Sequence, residues 1–329
     1  MIYPLLAVSL SAAGWFAHGF YISQHGHKKM RRVQAKGFSF TSPLLDVELP
    51  EGLNVNFEPL PFRRKVQALV DRQIKMGQVQ EIAVYFRDLH DGPWFGINED
   101  KEFDPASMMK VPVMIAWLKR AETNPLILNE QLTYNFPEDM RKMQITKPAR
   151  SVEPGRSYVV EDLLRMMMNY SDNNATRLLY DQLKPEEISD VIDGMDVDNR
   201  PHNDVNSISV HGYSGLFRIL YNASYLNRNM SEKALQLLSL QDYPQGMVAG
   251  VPKGTVVAAK FGEKVRDGNE KYHQLHEFGI VYHPKHAYIL GIMTRGNDFE
   301  ALSDVIRQLS KLVYTEVDAG TFSPDDVRR

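Results

Sequence analysis

Strand-forming runs stand near both ends of the patterned region of this chain, with a long helical block between them. That order restricts the fold to one sheet assembled from distant segments, with a helical insertion. Residues 81–97 hold two apolar runs about an Asp91-Gly92 turn, the pattern of a hairpin. Strand patterns return only at 256–260, 276–283 and 288–294, the last two joined at Pro284-Lys285. Between these ends, residues 105–122, 161–179 and 215–226 read as helical. Ahead of the hairpin, Val66, Leu69, Val70 and Ile74 recur at helical spacing and predict a helix over 63–76. Leu302, Val305, Ile306, Leu309, Leu312 and Val313 mark a last amphipathic helix. No internal repeat is seen.

The patterned region implies a folded domain over 63–318, with a linker at 23–62 and a polar tail at 319–329. Residues 2–22 carry no Asp, Glu, Lys or Arg, and a helix of that length reaches about 30 Å, one hydrocarbon core. Residues 1–22 are therefore expected to be a membrane anchor or signal segment. No basic residues precede the run, which favours an anchor over a cleaved signal. The flank Lys28, Lys29, Arg31 and Arg32 argues for keeping the following chain in the cytoplasm. The chemistry below argues for the outside.

Thirty-eight Lys and Arg against 41 Asp and Glu give a formal net charge of −3 over 329 residues, which speaks against a nucleic-acid partner. The absence of cysteine excludes disulfides, thiolate metal sites and a cysteine nucleophile. Covalent catalysis would have to use oxygen or nitrogen.

One oxygen candidate stands out. Ser107-Met-Met-Lys110 is the only place where Lys follows Ser by three residues, and it opens a predicted helix behind Pro105. The spacing sets hydroxyl and amine a turn apart on one face. A partly buried lysine can lose its proton and activate the serine. Taken alone, the spacing more often marks a serine capping a helix whose lysine is solvated. Tyr170-Ser-Asp-Asn-Asn-Ala175 is a run of small polar residues between two helical stretches, by itself a cap or turn. Ala259-Lys-Phe-Gly-Glu263 ends a strand, where the glycine permits close approach to the backbone.

Ser-x-x-Lys, Ser-Asp-Asn and Lys-x-Gly, in that order, resemble the class A β-lactamases and penicillin-binding serine hydrolases. The likeness runs from about residue 63 to 313. It implies an α/β (α+β) fold: an antiparallel sheet flanked by helices, with an all-helical subdomain carrying Ser171–Asn173. It also implies an acyl-enzyme at Ser107, with Lys110 as base or proton relay. Ser171 would pass a proton to the leaving nitrogen, and Asn173 would hold the substrate amide and Lys110. Lys260 would orient Ser171 and attract a substrate carboxylate. The backbone N–H groups of Ser107 and Glu263, beside Gly262, would form the oxyanion hole. Asp172 is expected to brace its own loop. The implied partners are a β-lactam or a D-Ala-type peptidoglycan peptide outside the cell membrane. No cofactor or metal is implied, and the oligomeric state is left open.

Two departures bear on activity. Position 261 is Phe where the family carries a hydroxyl for a substrate carboxylate, so Arg295 or Arg266 would have to supply the charge. No Glu-x-x-Leu-Asn motif follows Asn173, so the group that activates the deacylating water is missing; Asp198 and Asp204 stand in the corresponding stretch. Slow deacylation is the expectation, and a catalytically impaired module that binds a cell-wall peptide or partner is the alternative. His273 and His276 are expected as surface or turn residues, and Met166, Met167 and Met168 as core. The sequon at Asn174 abuts the implied cleft and is discounted.

Overall fold

Strand β1 (Val79–Asp88) pairs antiparallel with β2 (Trp94–Ile97) on one side and with a strand some two hundred residues later on the other. The computed structural model describes residues 38–42, 62–77, 79–89, 93–195, 197, 207–266 and 272–320. All of them belong to one unit of the chain, Phe38–Ser42 with Leu49–Arg329; the other unit, Met1–Gly37 with Pro43–Glu48, lies outside the described residues. So do the apolar run 2–22, the basic flank Lys28–Arg32, the Asp91-Gly92 turn, Asp198 and Asp204. No helix among the described residues is long and apolar enough to cross a membrane.

Two short pairs accompany the main sheet: β3 (Glu102–Phe103) with β6 (Ile208–Ser209), and β4 (Gln131–Thr133) with β5 (Ser157–Val159). The C-terminal strands β7 (Val257–Arg266), β8 (Tyr272–Val281) and β9 (Tyr288–Gly296) complete a five-stranded sheet in the order β2-β1-β9-β8-β7, every neighbour antiparallel. Both ends of the domain thus meet at the β1–β9 seam, and β7 is left as an edge. β7 and β8 extend past the expected limits because Lys264↔Gln274 and Val265↔His273 prolong the ladder through residues too polar to show an apolar alternation.

Strand periodicity divides the core in two. Ile82, Val84 and Phe86 face one side with Phe62, Val66, Leu302, Val305 and Leu309 from the helices Arg63–Lys75 and Phe299–Asp318. Ala83 and Tyr85 face the other, where Trp117, Met167, Met168, Tyr213 and Phe217 from the helical block pack with Phe278 of β8. This is an α/β fold with an antiparallel sheet and helices on both faces.

The expected helix over 105–122 is two pieces, a 3-10 turn Ala106–Met109 and a helix Lys110–Thr123. Pro112 fits the first turn of the second piece, where its missing N–H loses no bond. The run 161–179 also divides, into Val160–Asn169 and Asn173–Asp181. Asp172 breaks it by capping the second helix, its carboxylate accepting from the Asn174 and Ala175 N–H groups. The region 215–226 belongs to a helix that starts earlier, Val210–Asn222, where Ser209 is the cap.

Candidate active site

Ser107 lies in the 3-10 turn, half-buried, and lines a cleft of about 640 Å³ with Lys110, Asn173 and Glu263. Three residues per turn stack Ser107 and Lys110 on one side more closely than an α-helix would. Ala106, immediately before the serine, has φ 47°, a left-handed conformation that costs a non-glycine residue energy unless its surroundings hold it. They do. Its N–H donates to Asp104 Oδ1 at 2.9 Å. His276 Nδ1 accepts from the Thr294 N–H, so Nε2 carries the proton and donates to the Asp104 carbonyl at 3.0 Å. Tyr213 donates its hydroxyl to the Met108 carbonyl at 2.8 Å. Burial holds His276 neutral, its pKa lowered to about 4, and pushes the Tyr213 phenol upward.

Lys110 is 5% exposed. Its Nζ donates to the Ser171 carbonyl at 2.5 Å, to Ser171 Oγ at 3.0 Å and to Asn173 Oδ1 at 2.7 Å. Burial brings its pKa down to about 7, against the pull of Asp172 and Glu263, which favour the charged form. Lys110 is therefore a buried amine poised near neutrality, bonded to the first and last members of the Ser-Asp-Asn turn.

That turn is itself held under constraint. Ser171 is buried with φ 53°. Asp172 is fully buried and also accepts from the Val152 N–H at 2.6 Å, the bracing role expected of it. Gln144 accepts from the Asn173 N–H and donates to the Tyr170 carbonyl. Asn174 is fully buried and bonded to Asp139, Val152, Tyr134 and Met140, so the sequon is closed to modification in the folded domain.

β7 forms the opposite wall. A Cβ on Gly262 would stand 2.7 Å from the Pro105 carbonyl oxygen and 3.1 Å from Met108 Cγ, so the edge strand lies directly against the serine turn and only glycine fits there. Lys260 is fully buried; its Nζ donates to the Phe261 carbonyl at 2.9 Å and lies 4.0 Å from the centre of the Phe261 ring. Burial and repulsion from Lys110 lower its pKa well below the ordinary lysine value, opposed by Glu263 and Glu277. The Phe261 ring does not line the cleft as the missing-hydroxyl argument supposes. It belongs to the core on the far face of the sheet, stacked on Tyr243 at 4.5 Å.

Glu263 reaches across to the loop before the Ser-Asp-Asn helix, its carboxylate accepting from the Thr146 N–H at 2.6 Å and Thr146 Oγ1 at 2.7 Å. Arg295 is not brought to the cleft. It pairs with Glu81, its register partner on β1, at 2.5 Å and packs on Phe103 and Tyr272. The Arg266 side chain is outside what is described. His276 is buried rather than a surface residue, and no group of three His, Asp or Glu among the described residues is arranged to hold a metal.

The model of the β-lactamase enzyme family matches residues 61–317. The chain belongs to this family. It is a serine hydrolase of the β-lactamase and penicillin-binding type, and its fold is that of the family's solved structures. PBP-A superposes with a TM-score of 0.65 at 22% identity, covering 80% of this chain and 98% of that one. A β-lactamase from Chitinophaga pinensis gives 0.65 at 19%, covering 78% and 98%. A class A β-lactamase from Mycobacterium abscessus gives 0.64 at 18%, covering 77% and 99%. No curated protein matches the sequence.

Within this β-lactamase fold the three motifs converge, but the residues that brace them carry no motif signal. Tyr213, Gln144 and Thr146 come from the helical block as ordinary polar or aromatic residues. His276 was visible in sequence only as one member of a histidine pair.

Proposed function

We propose that Ser107 is the acylated nucleophile of a hydrolase acting on β-lactams or D-Ala-type peptidoglycan peptides. The observation that carries this is Lys110, buried three residues after Ser107, with a pKa near 7 and both Ser171 and Asn173 bonded to its Nζ. In acylation, Ser107 Oγ bonds to the substrate carbonyl carbon while Lys110 takes the hydroxyl proton. The C–N bond then breaks, and Ser171 passes the proton from Lys110 to the leaving nitrogen. An ester and a free amine result. The N–H groups of Ser107 and Glu263 would stabilise the oxyanion, a role supported by the contact of Gly262 with the serine turn. Asn173 would hold the substrate amide. Lys260 would set the potential around Ser171 from within the strand.

Hydrolysis of the ester is expected to be slow. Among the described residues the carboxylates lining the cleft are Asp104 and Glu263, and each is engaged, Asp104 by Lys264 and Glu263 by Thr146. An acyl-enzyme of a PBP-A mutant with penicillin G is among the similar structures and supports the same kind of intermediate here. Both substrate classes are extracytoplasmic, so the domain is placed outside the cell membrane and tethered through residues 2–22. That neither described carboxylate of the cleft is unengaged also favours a second reading, a module that binds wall peptides or a partner without turnover.

A time course of fluorescent penicillin on the full chain, beside Ser107→Ala, tests this. Label that requires Ser107 and persists for hours is the expected result. Label that clears in seconds with ring-opened product would mean a fast β-lactamase with another water activator. No Ser107-dependent label after prolonged exposure would favour the binding module.

A further inference from the structure

We propose that a pocket between the β1–β2 edge of the sheet and the helix Val210–Asn222 binds a carboxylated sugar ring. The inference stands on its own residues and does not depend on the acyl-enzyme reading.

Strand register builds one wall. Trp94 is the cross-strand partner of Arg87, and Tyr85 stands two residues before Arg87, so all three share one face of the sheet. Helical spacing builds the other wall, where His211, Ser214, Gly215 and Arg218 recur along one face of the helix. The two walls enclose about 360 Å³, the size of a small-molecule site. The pocket shares no described lining residue with the serine cleft.

Its rings form a platform. Trp94 and His211 are parallel within 6°, their centres 5.3 Å apart, and the buried Tyr85 stacks on both, at 5.7 and 6.2 Å. Trp94 is 42% exposed, so part of the platform is open to a ligand.

The polar groups beside the rings select the ligand. Arg87 and Arg218 bring two guanidinium groups to the lining, against one described carboxylate, Asp100, which lies 3.8 Å from His211 Nδ1. A guanidinium fork fits a carboxylate through two parallel hydrogen bonds. Ser209 Oγ accepts from the Gly212 N–H, and Ser214 Oγ donates to the His211 carbonyl. The first hydroxyl keeps its proton to donate and the second its lone pairs to accept. A carboxylated pyranose meets all three demands: its C–H face lies on the rings, its hydroxyls meet the serines, and its carboxylate meets Arg87. A flat aromatic acid would leave the serines unmet, and a neutral sugar would leave the guanidinium groups unmet.

Two kinds of sugar carry this chemistry, a lactyl ether of an amino sugar and a uronic acid, and matched probes separate them. Saturation-transfer NMR titrations on the full chain compare N-acetylmuramic acid with N-acetylglucosamine, and methyl glucuronide with methyl glucoside. An acid is expected to bind about tenfold more tightly than its neutral partner, with a preference that shrinks as salt rises. Arg87→Gln should abolish that preference. Trp94→Ala should weaken the acid by about tenfold, and Trp94→Phe, which keeps a ring, should restore most of the binding. Thermal unfolding shows that each variant is folded.

Tighter binding of only the muramic acid assigns the lactyl ether, of only the glucuronide the uronic acid, and of both the carboxylated ring in general. No saturable binding of either acid, equal binding within both pairs, or acid binding unchanged in Arg87→Gln or in Trp94→Ala overturns the proposal. None of these outcomes bears on whether Ser107 is acylated.

Discussion

Oδ1 of Asn173 sits 2.7 Å from Nζ of Lys110, joining the second motif to the first across more than sixty residues. This bond holds the amine where a proton can leave for Ser171, whose Oγ is 3.0 Å from the same nitrogen. In the proposed mechanism the proton state of Lys110 is the switch for acylation.

Lys110 must be neutral to accept the Ser107 proton, so acylation by a neutral ester should rise with pH and half-saturate near pH 7, following its lowered pKa. Asp172 and Glu263 both favour its charged form, so Glu263→Gln should move the midpoint to lower pH. Lys110→Arg, permanently charged, should lower the rate by about 10³-fold. Stopped-flow acylation between pH 5.5 and 9, as roughly chosen to bracket the lysine titration, checks all three; a flat profile would remove Lys110 as the base.

Gly262→Ala should destabilise the domain and slow acylation together. Its Cβ meets the Pro105 carbonyl oxygen and the Met108 nitrogen, backbone atoms that cannot swing away. The cost of such overpacking is about 1–3 kcal/mol, and the serine turn must shift to relieve it. Urea unfolding measures the first effect and Ser107 labelling the second. A variant of undiminished stability would mean that the strand is not pressed on the turn.

His276 and Glu277, adjacent on β8 and both fully buried, should give opposite pH slopes of stability. His276 titrates near 4 folded and 6.5 unfolded, so over that window the unfolded chain holds more protons and stability rises with pH. Burial raises Glu277 to about 7 from 4.5, so the native state holds more protons and stability falls with pH. Each is worth about 3 kcal/mol, and in the native protein they largely cancel. Glu277→Gln should therefore expose a stability that climbs from pH 4 to 6.5, and His276→Gln one that declines from pH 4.5 to 7. Denaturant midpoints across that range decide it; parallel curves for both variants would contradict the assignment.

Asp172→Ala should cost about 2–4 kcal/mol, because the carboxylate both caps the following helix and satisfies the buried Val152 N–H. Phe261→Thr should cost about 3 kcal/mol through the lost stacking on Tyr243 and the cavity left behind. It should not create a carboxylate site, because that position faces away from the cleft. Thermal unfolding reports the stability losses, and the rate of Ser107 labelling by penicillin, which carries a carboxylate, reports whether such a site has been gained.

The sheet was legible because a run of apolar residues is a local property: β1, β8 and β9 each contain a stretch buried on both faces. The limits of β7 and β8 were not, since their polar ends are held by cross-strand hydrogen bonds rather than by burial of apolar side chains. Ser107, Lys110, Ser171, Asn173 and Lys260 could be picked out by spacing and order. Arg295 was misplaced because its cross-strand partner Glu81 lies more than two hundred residues away and claims its charge.

By itself, then, the sequence determined which segments are strand or helix, which serine has a lysine one turn away, and in what order three motifs follow. Those depend on neighbours within a few residues. Tertiary structure decided that Lys110 is buried enough for its pKa to fall to about 7, that Phe261 faces the core, that Glu263 is bound by Thr146, and that His276 braces the serine turn. Desolvation, strand register and charge pairing set those properties. Each depends on which distant segments pack together, and no local pattern records that.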